Sequence, residues 1–226
     1  MSRMSRHFDE QDLRRVNAAI AEVEANTSAE IICVATASSG RYDRAEDLFG
    51  LLVGMLAAAT VWLLLPDAVP GGDSWAGFTP AAKITFMAVA VVAGFIGGTI
   101  LASHAWPLRR PFIPRAQQTA NVMRAASAAF FDQSLHQTSA GTGLLIYVSF
   151  DERRAVILGD AAVLDVLPQA QLDTLCRDLT TLLADTDPAE ALCQTIRRAG
   201  ESLADLSPDA DIEPDTKLPN ELVLVG

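Results

Sequence analysis

The sequence predicts an α/β domain, a small sheet flanked by helices, that is interrupted by a two-helix transmembrane hairpin. The chain of 226 residues is half apolar yet carries a formal net charge of −11. Two charge-free segments, 48–65 and 84–103, hold 29 apolar residues in 38 positions, and the remainder has the composition of an ordinary soluble domain. The acidic balance excludes a basic nucleic-acid binder, and the composition excludes a disulfide scaffold and a disordered chain.

Each charge-free segment is long enough to cross a hydrocarbon core of about 30 Å as a helix. The alternative is a pair of core helices, but a small domain rarely buries two helices that are apolar on every face. Each segment carries two glycines four residues apart, Gly50 with Gly54 and Gly94 with Gly98. We expect these glycines to pack the two spans against each other, in preference to joining two copies of the chain.

Positive charge is unevenly distributed around the spans. Five arginines flank their outer ends: Arg41, Arg44, Arg109, Arg110 and Arg115. The connecting loop has only Lys83 nearby. The positive-inside tendency therefore predicts an integral membrane protein, expected in a bacterial inner membrane, with both termini and the soluble domain in the cytoplasm. The basic segment 109–115 is expected to meet anionic lipid head groups.

The hairpin divides the soluble domain in sequence. A helix with apolar positions from Leu13 to Val23 and a strand over 29–36, buried on both faces, precede it. The hairpin is followed by a helix over 115–136, strands over 143–150 and 155–159, and helices over 169–184 and from Pro188. Because a short turn joins the two later strands, we expect an antiparallel pair in which Asp151 and Glu152 are ordinary turn residues.

Capping residues and prolines set the remaining boundaries. Asp187, Pro188 and Glu190 are expected to serve as the N-cap, first residue and capping-box acid of the last helix. The predicted segments are a first part of the domain over 1–46, the hairpin over 47–106, a second part over 107–206 and an extended tail over 207–226.

Three segments carry a resemblance to a known family: NTSAEIICVAT (26–36), TGLLIYVSFDERRAVILGD (142–160) and KLPNELVL (217–224). Their order and spacing resemble the TPM-domain family, in particular its bacterial membrane-protein branch, in which a transmembrane hairpin interrupts the domain. The resemblance implies a compact sheet with helices on both sides. Some members are associated with acid phosphatase activity and others with assembly or repair of membrane complexes. No family catalytic motif transfers residue by residue, so the catalytic residues stay unknown.

Carboxylates are the candidate reactive groups. If the first strand runs parallel to the second, Glu30 and Asp160 lie at the same sheet edge, where they would hold Ca²⁺ or Mg²⁺ or position a water. The alternative is that each carboxylate accepts backbone N–H groups at a strand end or helix start. No motif for a haem or nucleotide cofactor is present. The tail acids from Asp209 to Asp215 lack the glycine and later glutamate of an EF-hand loop and are expected to be solvated.

The sequence thus favours a membrane-anchored domain that acts as an interaction or assembly module at the cytoplasmic membrane face. Its expected partners are the lipid bilayer and another membrane protein, not nucleic acid. The alternative is a metal-dependent hydrolase similar to an acid phosphatase that uses Glu30 and Asp160. The three cysteines lack metal-ligand spacing and are expected to be core residues.

Overall fold

A computed structural model describes residues 7–67, 77–133, 135, 142–204 and 222–225. These residues form two compact units, Met1–Gly40 with Gln118–Gly226 and, inserted between those segments, Arg41–Gln117. We call them the domain unit and the hairpin unit. The acids from Asp209 to Asp215 lie outside the described residues.

The domain unit is a mixed sheet with helices on both sides, as the sequence predicts. In chain order its elements are α1 (Glu10–Glu24), β1 (Glu30–Thr36), then α5 (Arg115–Asp132, whose first residues belong to the hairpin unit), β2 (Gly143–Ser149), β3 (Arg154–Gly159), α6 (Ala161–Val166), α7 (Gln169–Asp185), α8 (Pro188–Ser202) and β4 (Leu222–Val225). The numbers α2 to α4 belong to the hairpin unit.

The sheet order is β3-β2-β1-β4. Strand β1 pairs in parallel with β2 and with β4, and β2 pairs antiparallel with β3. The predicted β2–β3 hairpin is confirmed, and the parallel β1–β2 pair meets the condition under which Glu30 and Asp160 were expected to lie near each other. Strand β4 was not predicted; its alternating Leu and Val residues extend the sheet beside β1, and Asn17 Oδ1 accepts the N–H of Leu222 at 2.9 Å.

Successive residues of β1 and β2 point to opposite sides of the sheet, and both strands are buried. Cys33 and Ile146 join the larger core, to which α1, α7 and α8 contribute Ile20, Leu179 and Ile196. On the other side Ile32 and Leu145 pack with Val122 and Ala126 of α5. Burial of β1 on both faces is therefore confirmed, and the sheet is the middle layer of the domain.

The start of α8 confirms part of the predicted cap. The side chain of Asp187 accepts the N–H of Glu190 at 3.2 Å, and Pro188 is the first helical residue. Glu190 differs from its expected role, because its Oε2 lies 2.6 Å from Nη2 of Arg15 on α1. An ion pair between two packed helices therefore takes the place of the predicted capping-box contact.

The hairpin unit contains α2 (Asp43–Leu64), α3 (Pro80–His104), α4 (Trp106–Arg109) and a 3₁₀ turn over Arg110–Phe112. Helices α2 and α3 are long and apolar enough to cross a membrane, with mean hydropathies of 2.0 and 2.2 over their best windows. Only 11% and 6% of those windows are buried. Helices in the core of a soluble protein would be mostly buried, so this exposure is consistent with a lipid environment.

Candidate functional site: a buried polar cluster at the strand ends

Polar side chains gather where the parallel strands β1 and β2 end. Ser38 and Ser39 follow β1, Tyr147 and Ser149 belong to β2, and Glu152 lies in the turn before β3. We call these five residues the Glu152 cluster. Loops at the carboxyl ends of parallel strands are the usual location of ligand sites in α/β sheets, so this cluster is the candidate functional site.

Glu152 is the centre of the cluster. It is only 5% exposed, and its Oε1 accepts the backbone N–H of Ser39 at 3.0 Å. The hydroxyl of Ser38 lies 3.2 Å from the same oxygen, and the hydroxyl of Ser149 donates to Oε2. A buried carboxylate is stable only when such donors replace its water, so these contacts fix Glu152 in the turn.

A chain of hydroxyls leads from Tyr147 to this carboxylate. Ser39 Oγ donates to Ser149 Oγ at 2.8 Å, and Ser149 in turn donates to Glu152. Because a serine hydroxyl has one proton, the 3.1 Å contact between Tyr147 and Ser39 has the phenol as its donor. Burial raises the pKa of Tyr147, and the neighbouring Glu152 carboxylate raises it further, although the hydrogen bond with Ser39 opposes the shift. Tyr147 therefore stays a neutral donor at physiological pH.

The local backbone supports this arrangement. Arg153 adopts a left-handed conformation with φ of 53°, and its N–H donates to the carbonyl of Phe150 at 3.1 Å, which closes the turn between β2 and β3. The N–H of Asp151 donates to the carbonyl of Ala37 at 2.9 Å. The turn is thus hydrogen-bonded to the segment that follows β1, and Glu152 is directed into the protein.

Glu152 lies in the turn between β2 and β3, as predicted, but it is a buried, hydrogen-bonded residue and not an ordinary one. The sequence pattern that indicates the Glu152 cluster is a set of small hydroxyl residues at the ends of two parallel strands, with an acid three residues after Ser149. Ser149 has no exposed surface, so a substrate cannot reach its hydroxyl although that hydroxyl donates to a carboxylate. The arrangement therefore suits a joint that holds two loops together better than a nucleophile and its base.

The predicted acids Glu30 and Asp160 lie at the other end of the strands from the Glu152 cluster. Glu30 is paired with Gly143 at the start of β2, and the N–H of Asp160 donates to the carbonyl of Gly143 at 2.8 Å. Strand β2 therefore separates the two acids. Asp160 is the N-cap of α6, a helix that was not predicted, and its Oδ1 accepts the N–H of Ala161 at 2.8 Å. A cation shared by Glu30 and Asp160 stays a prediction.

Within the described part of the chain, no group of three or more His, Cys, Asp or Glu residues is arranged to hold a metal ion. Cys33 and Cys193 are buried in the larger core, as expected, and Cys176 is partly buried beside it. Burial raises the pKa of all three thiols. They are therefore protonated core residues in the reduced protein.

In the hairpin unit the four glycines lie between α2 and α3. A Cβ added at Gly94 would come within 2.9 Å of the Gly54 Cα, and one added at Gly98 would come equally close to the Gly50 Cα. The helix backbones thus approach each other at two glycine pairs one helical turn apart. Such close approach is available only to residues without a Cβ.

The two ends of the hairpin unit differ in charge. Lys83, at the end that bears the connecting loop, is buried with its Nζ 2.8 Å from Asp67 Oδ1 and 4.1 Å from the centre of the Trp62 ring. The five arginines expected to set the orientation all belong to the hairpin unit and lie near its other end: Arg41, Arg44, Arg109, Arg110 and Arg115. The membrane side that they select stays a prediction.

Comparison with known proteins agrees with this architecture. Residues 111–202 match the model of the TPM domain. The NMR structure of the BA42 protein from the psychrophilic bacterium Bizionia argentinensis is similar over 100% of both chains, with a TM-score of 0.56 and 18% sequence identity. At this identity the likeness shows the fold alone. No curated protein matches the chain. Residues 111–202 thus carry a TPM domain, in a chain whose described part includes two helices long and apolar enough to cross a membrane.

Proposed function

We propose that this protein is an assembly module of the bacterial inner membrane, which holds its TPM domain at the cytoplasmic face for binding to another membrane protein. The observation that carries the proposal is the position of the hairpin inside the domain. Strand β1 precedes the hairpin and β2 follows it, yet the two strands pair over their whole length from Glu30 with Gly143 to Thr36 with Ser149.

This pairing constrains how the chain can meet a membrane. Both ends of the hairpin leave and re-enter one folded sheet, so a hairpin that spans the bilayer must have both ends on the same side as the domain. The connection from β1 to α2 is only six residues long, and Ser38 and Ser39 in it are hydrogen-bonded to Glu152. A domain joined to its anchor in this way works at the membrane surface.

We assign the contact with the protein partner to α5. This helix packs on the sheet through Val122 and Ala126, and its outer side leaves Met123 46% and Phe131 61% exposed. Phe130 makes an edge-to-face contact with Phe131, with ring centres 6.1 Å apart. Phe130 itself packs on the sheet, and we call the exposed pair Met123 and Phe131 the α5 patch. Exposed aromatic and methionine side chains are enriched in protein interfaces, so the α5 patch is the expected contact with the partner.

The first experiment determines the side of the membrane. Glu201→Cys places a thiol on the domain and Ser74→Cys places one in the loop between the spans, each in a background without the native cysteines. We expect a membrane-impermeant maleimide to label position 74 in intact cells with a permeabilised outer membrane, and position 201 only after the inner membrane is opened. Labelling of position 201 in intact cells would contradict the proposed orientation.

The alternative hydrolase is tested by a phosphate-ester assay on the purified chain with and without Mg²⁺ or Ca²⁺. The assembly proposal predicts no metal-stimulated turnover, and no difference among wild type, Glu30→Gln and Asp160→Asn. Turnover that requires the metal and is abolished by either substitution would replace this proposal with a hydrolase at the Glu30 edge of the sheet.

A further inference from the structure

A cleft of about 420 Å³ lies in the hairpin unit, between the first turns of α2 and the segment that follows α4. Its lining changes character along its length. Arg41 and Arg44 line one part, and Leu48 and Leu51 of α2 line another together with Phe95 of α3 and Phe112 of the 3₁₀ turn. A volume of several hundred Å³ is typical of small-molecule sites.

The charged part of the cleft fits a phosphate group. Arg41 and Arg44 are both exposed, and the Arg41 Nε lies 3.9 Å from Asp43 Oδ2 with both side chains in solvent, an ion pair too weak to occupy the guanidinium. Asp47 also lines the cleft and opposes part of this charge. Two guanidinium groups nevertheless offer several N–H donors in the planar arrangement that binds phosphate oxygens.

The apolar part of the cleft continues into the membrane-type helices. Leu48 and Leu51 are 47% and 46% exposed and begin the charge-free run of α2. Leu51 lies eight residues from the start of α2 and Phe95 nine residues from the end of α3. At 1.5 Å per residue both lie roughly 12–14 Å along their helices from the arginine-bearing end, so they line the cleft at one depth.

A ligand that matches both parts has an anionic phosphate and an apolar chain on one molecule. We propose that the cleft binds an anionic glycerophospholipid, with its phosphate at Arg41 and Arg44 and an acyl chain along Leu48, Leu51 and Phe95. Basic pockets beside transmembrane helices are a recurrent way to bind such head groups. The inference rests on the proposed membrane hairpin and adds a specific lipid to it.

The test uses the full chain purified in a neutral detergent. Binding of phosphatidylglycerol, of phosphatidylcholine with the same acyl chains, and of inorganic phosphate is measured by native mass spectrometry and by thermal stabilisation. The variant R41Q/R44Q removes the two guanidinium groups from the cleft. The variant R14Q/R124Q removes the same charge from exposed positions in the domain unit and serves as its control. The variant Leu51→Gln tests the apolar part.

We expect phosphatidylglycerol to bind at least about tenfold more tightly than phosphatidylcholine. R41Q/R44Q should lower the affinity for phosphatidylglycerol about tenfold, whereas R14Q/R124Q should leave it unchanged. Leu51→Gln should also weaken the binding of phosphatidylglycerol. Inorganic phosphate at the same concentration as the lipid should not displace the lipid. Equal binding of the two lipids, equal loss in both double variants, or displacement by phosphate would each overturn the lipid site.

Failure of the anchor gives a different result. If the chain is found in the soluble fraction of cells without detergent, the proposed membrane function fails together with the lipid site. If the chain stays in membranes after a high-salt wash but does not distinguish the two lipids, the anchor stands and only the lipid site is overturned.

Discussion

The backbone N–H of Ser39 donates to the Glu152 carboxylate at 3.0 Å, although 113 residues and the whole hairpin unit separate the two in sequence. Ser39 lies in the short connection that enters the hairpin, and Glu152 lies in the turn that joins β2 to β3. One buried carboxylate thus joins the part of the domain that precedes the hairpin to the part that follows it. The stability of the domain should depend on it more than on any exposed acid.

Glu152→Gln tests this dependence. The amide keeps the size of the side chain but loses the negative charge and one acceptor oxygen, so we expect the free energy of unfolding to fall by about 1–3 kcal/mol. Glu201→Gln, at an exposed position of α8, is the matched control and should change the stability by less than about 0.5 kcal/mol. Chemical denaturation followed by circular dichroism measures both. Equal stabilities for the two variants would show that Glu152 does not hold the loops.

Tyr147 gives the cluster a dependence on alkaline pH. Because its pKa is raised in the folded protein, the folded state holds the phenolic proton more tightly than the unfolded chain. The stabilising effect is complete below the ordinary tyrosine pKa of about 10 and is lost as the pH rises through the folded value. Tyr147→Phe should therefore lower the free energy of unfolding at pH 7 by about 1 kcal/mol. It should also make the fall in that free energy between pH 9 and 11 smaller than in the wild type. An unchanged alkaline decline would contradict the donor role of Tyr147.

Gly97 and Gly98 form a matched pair on α3. A Cβ at Gly98 would meet the Gly50 backbone at 2.9 Å, whereas nothing lies within 4 Å of one at Gly97. Gly98→Ala should lower the melting temperature in detergent, because the two helices must separate to accept the methyl group. Gly97→Ala should leave it unchanged or raise it slightly, since alanine favours a helix by about 1 kcal/mol over glycine. If both changes have the same effect, the glycines do not set the helix spacing.

Cys33 should be inert in the folded protein. It is fully buried in β1, and the raised pKa of its thiol keeps it protonated at pH 8. In a background with Cys176 and Cys193 replaced by alanine, we expect iodoacetamide to modify Cys33 only after denaturation. Ala128→Cys, at an exposed position of α5, should react at once when Cys33 is also replaced. Comparable rates for Cys33 and the exposed thiol would mean that β1 opens in the native protein.

Local patterns in the sequence predict most of the secondary structure. The unbroken apolar runs of β1 and β2 identify buried strands, and the periodic leucines of α7 identify a helix with one buried side. The boundaries follow closely, with α7 observed over Gln169–Asp185. These features depend on neighbours in the chain, which is why composition and period are sufficient to find them.

The features that the sequence did not reveal depend on distant partners. Glu152 reads as a turn residue until β1 is placed beside β2, which brings Ser38 and Ser39 to it from the other side of the hairpin. Glu190 has the spacing of a capping-box acid, but Arg15 of α1 reaches it once α1 packs on α8. Four residues of β4 are too short to identify without their parallel partner β1.

The measurement that tests the central proposal most directly is photo-crosslinking in the native cells. A photoreactive amino acid is placed at Phe131 in the α5 patch and, as a control, at Asp173 on the exposed side of α7. If the TPM domain is an assembly module, position 131 should give one discrete adduct with an integral membrane protein and position 173 should give none. The proposal would be contradicted if position 131 gave no discrete adduct, or if both positions gave the same adducts.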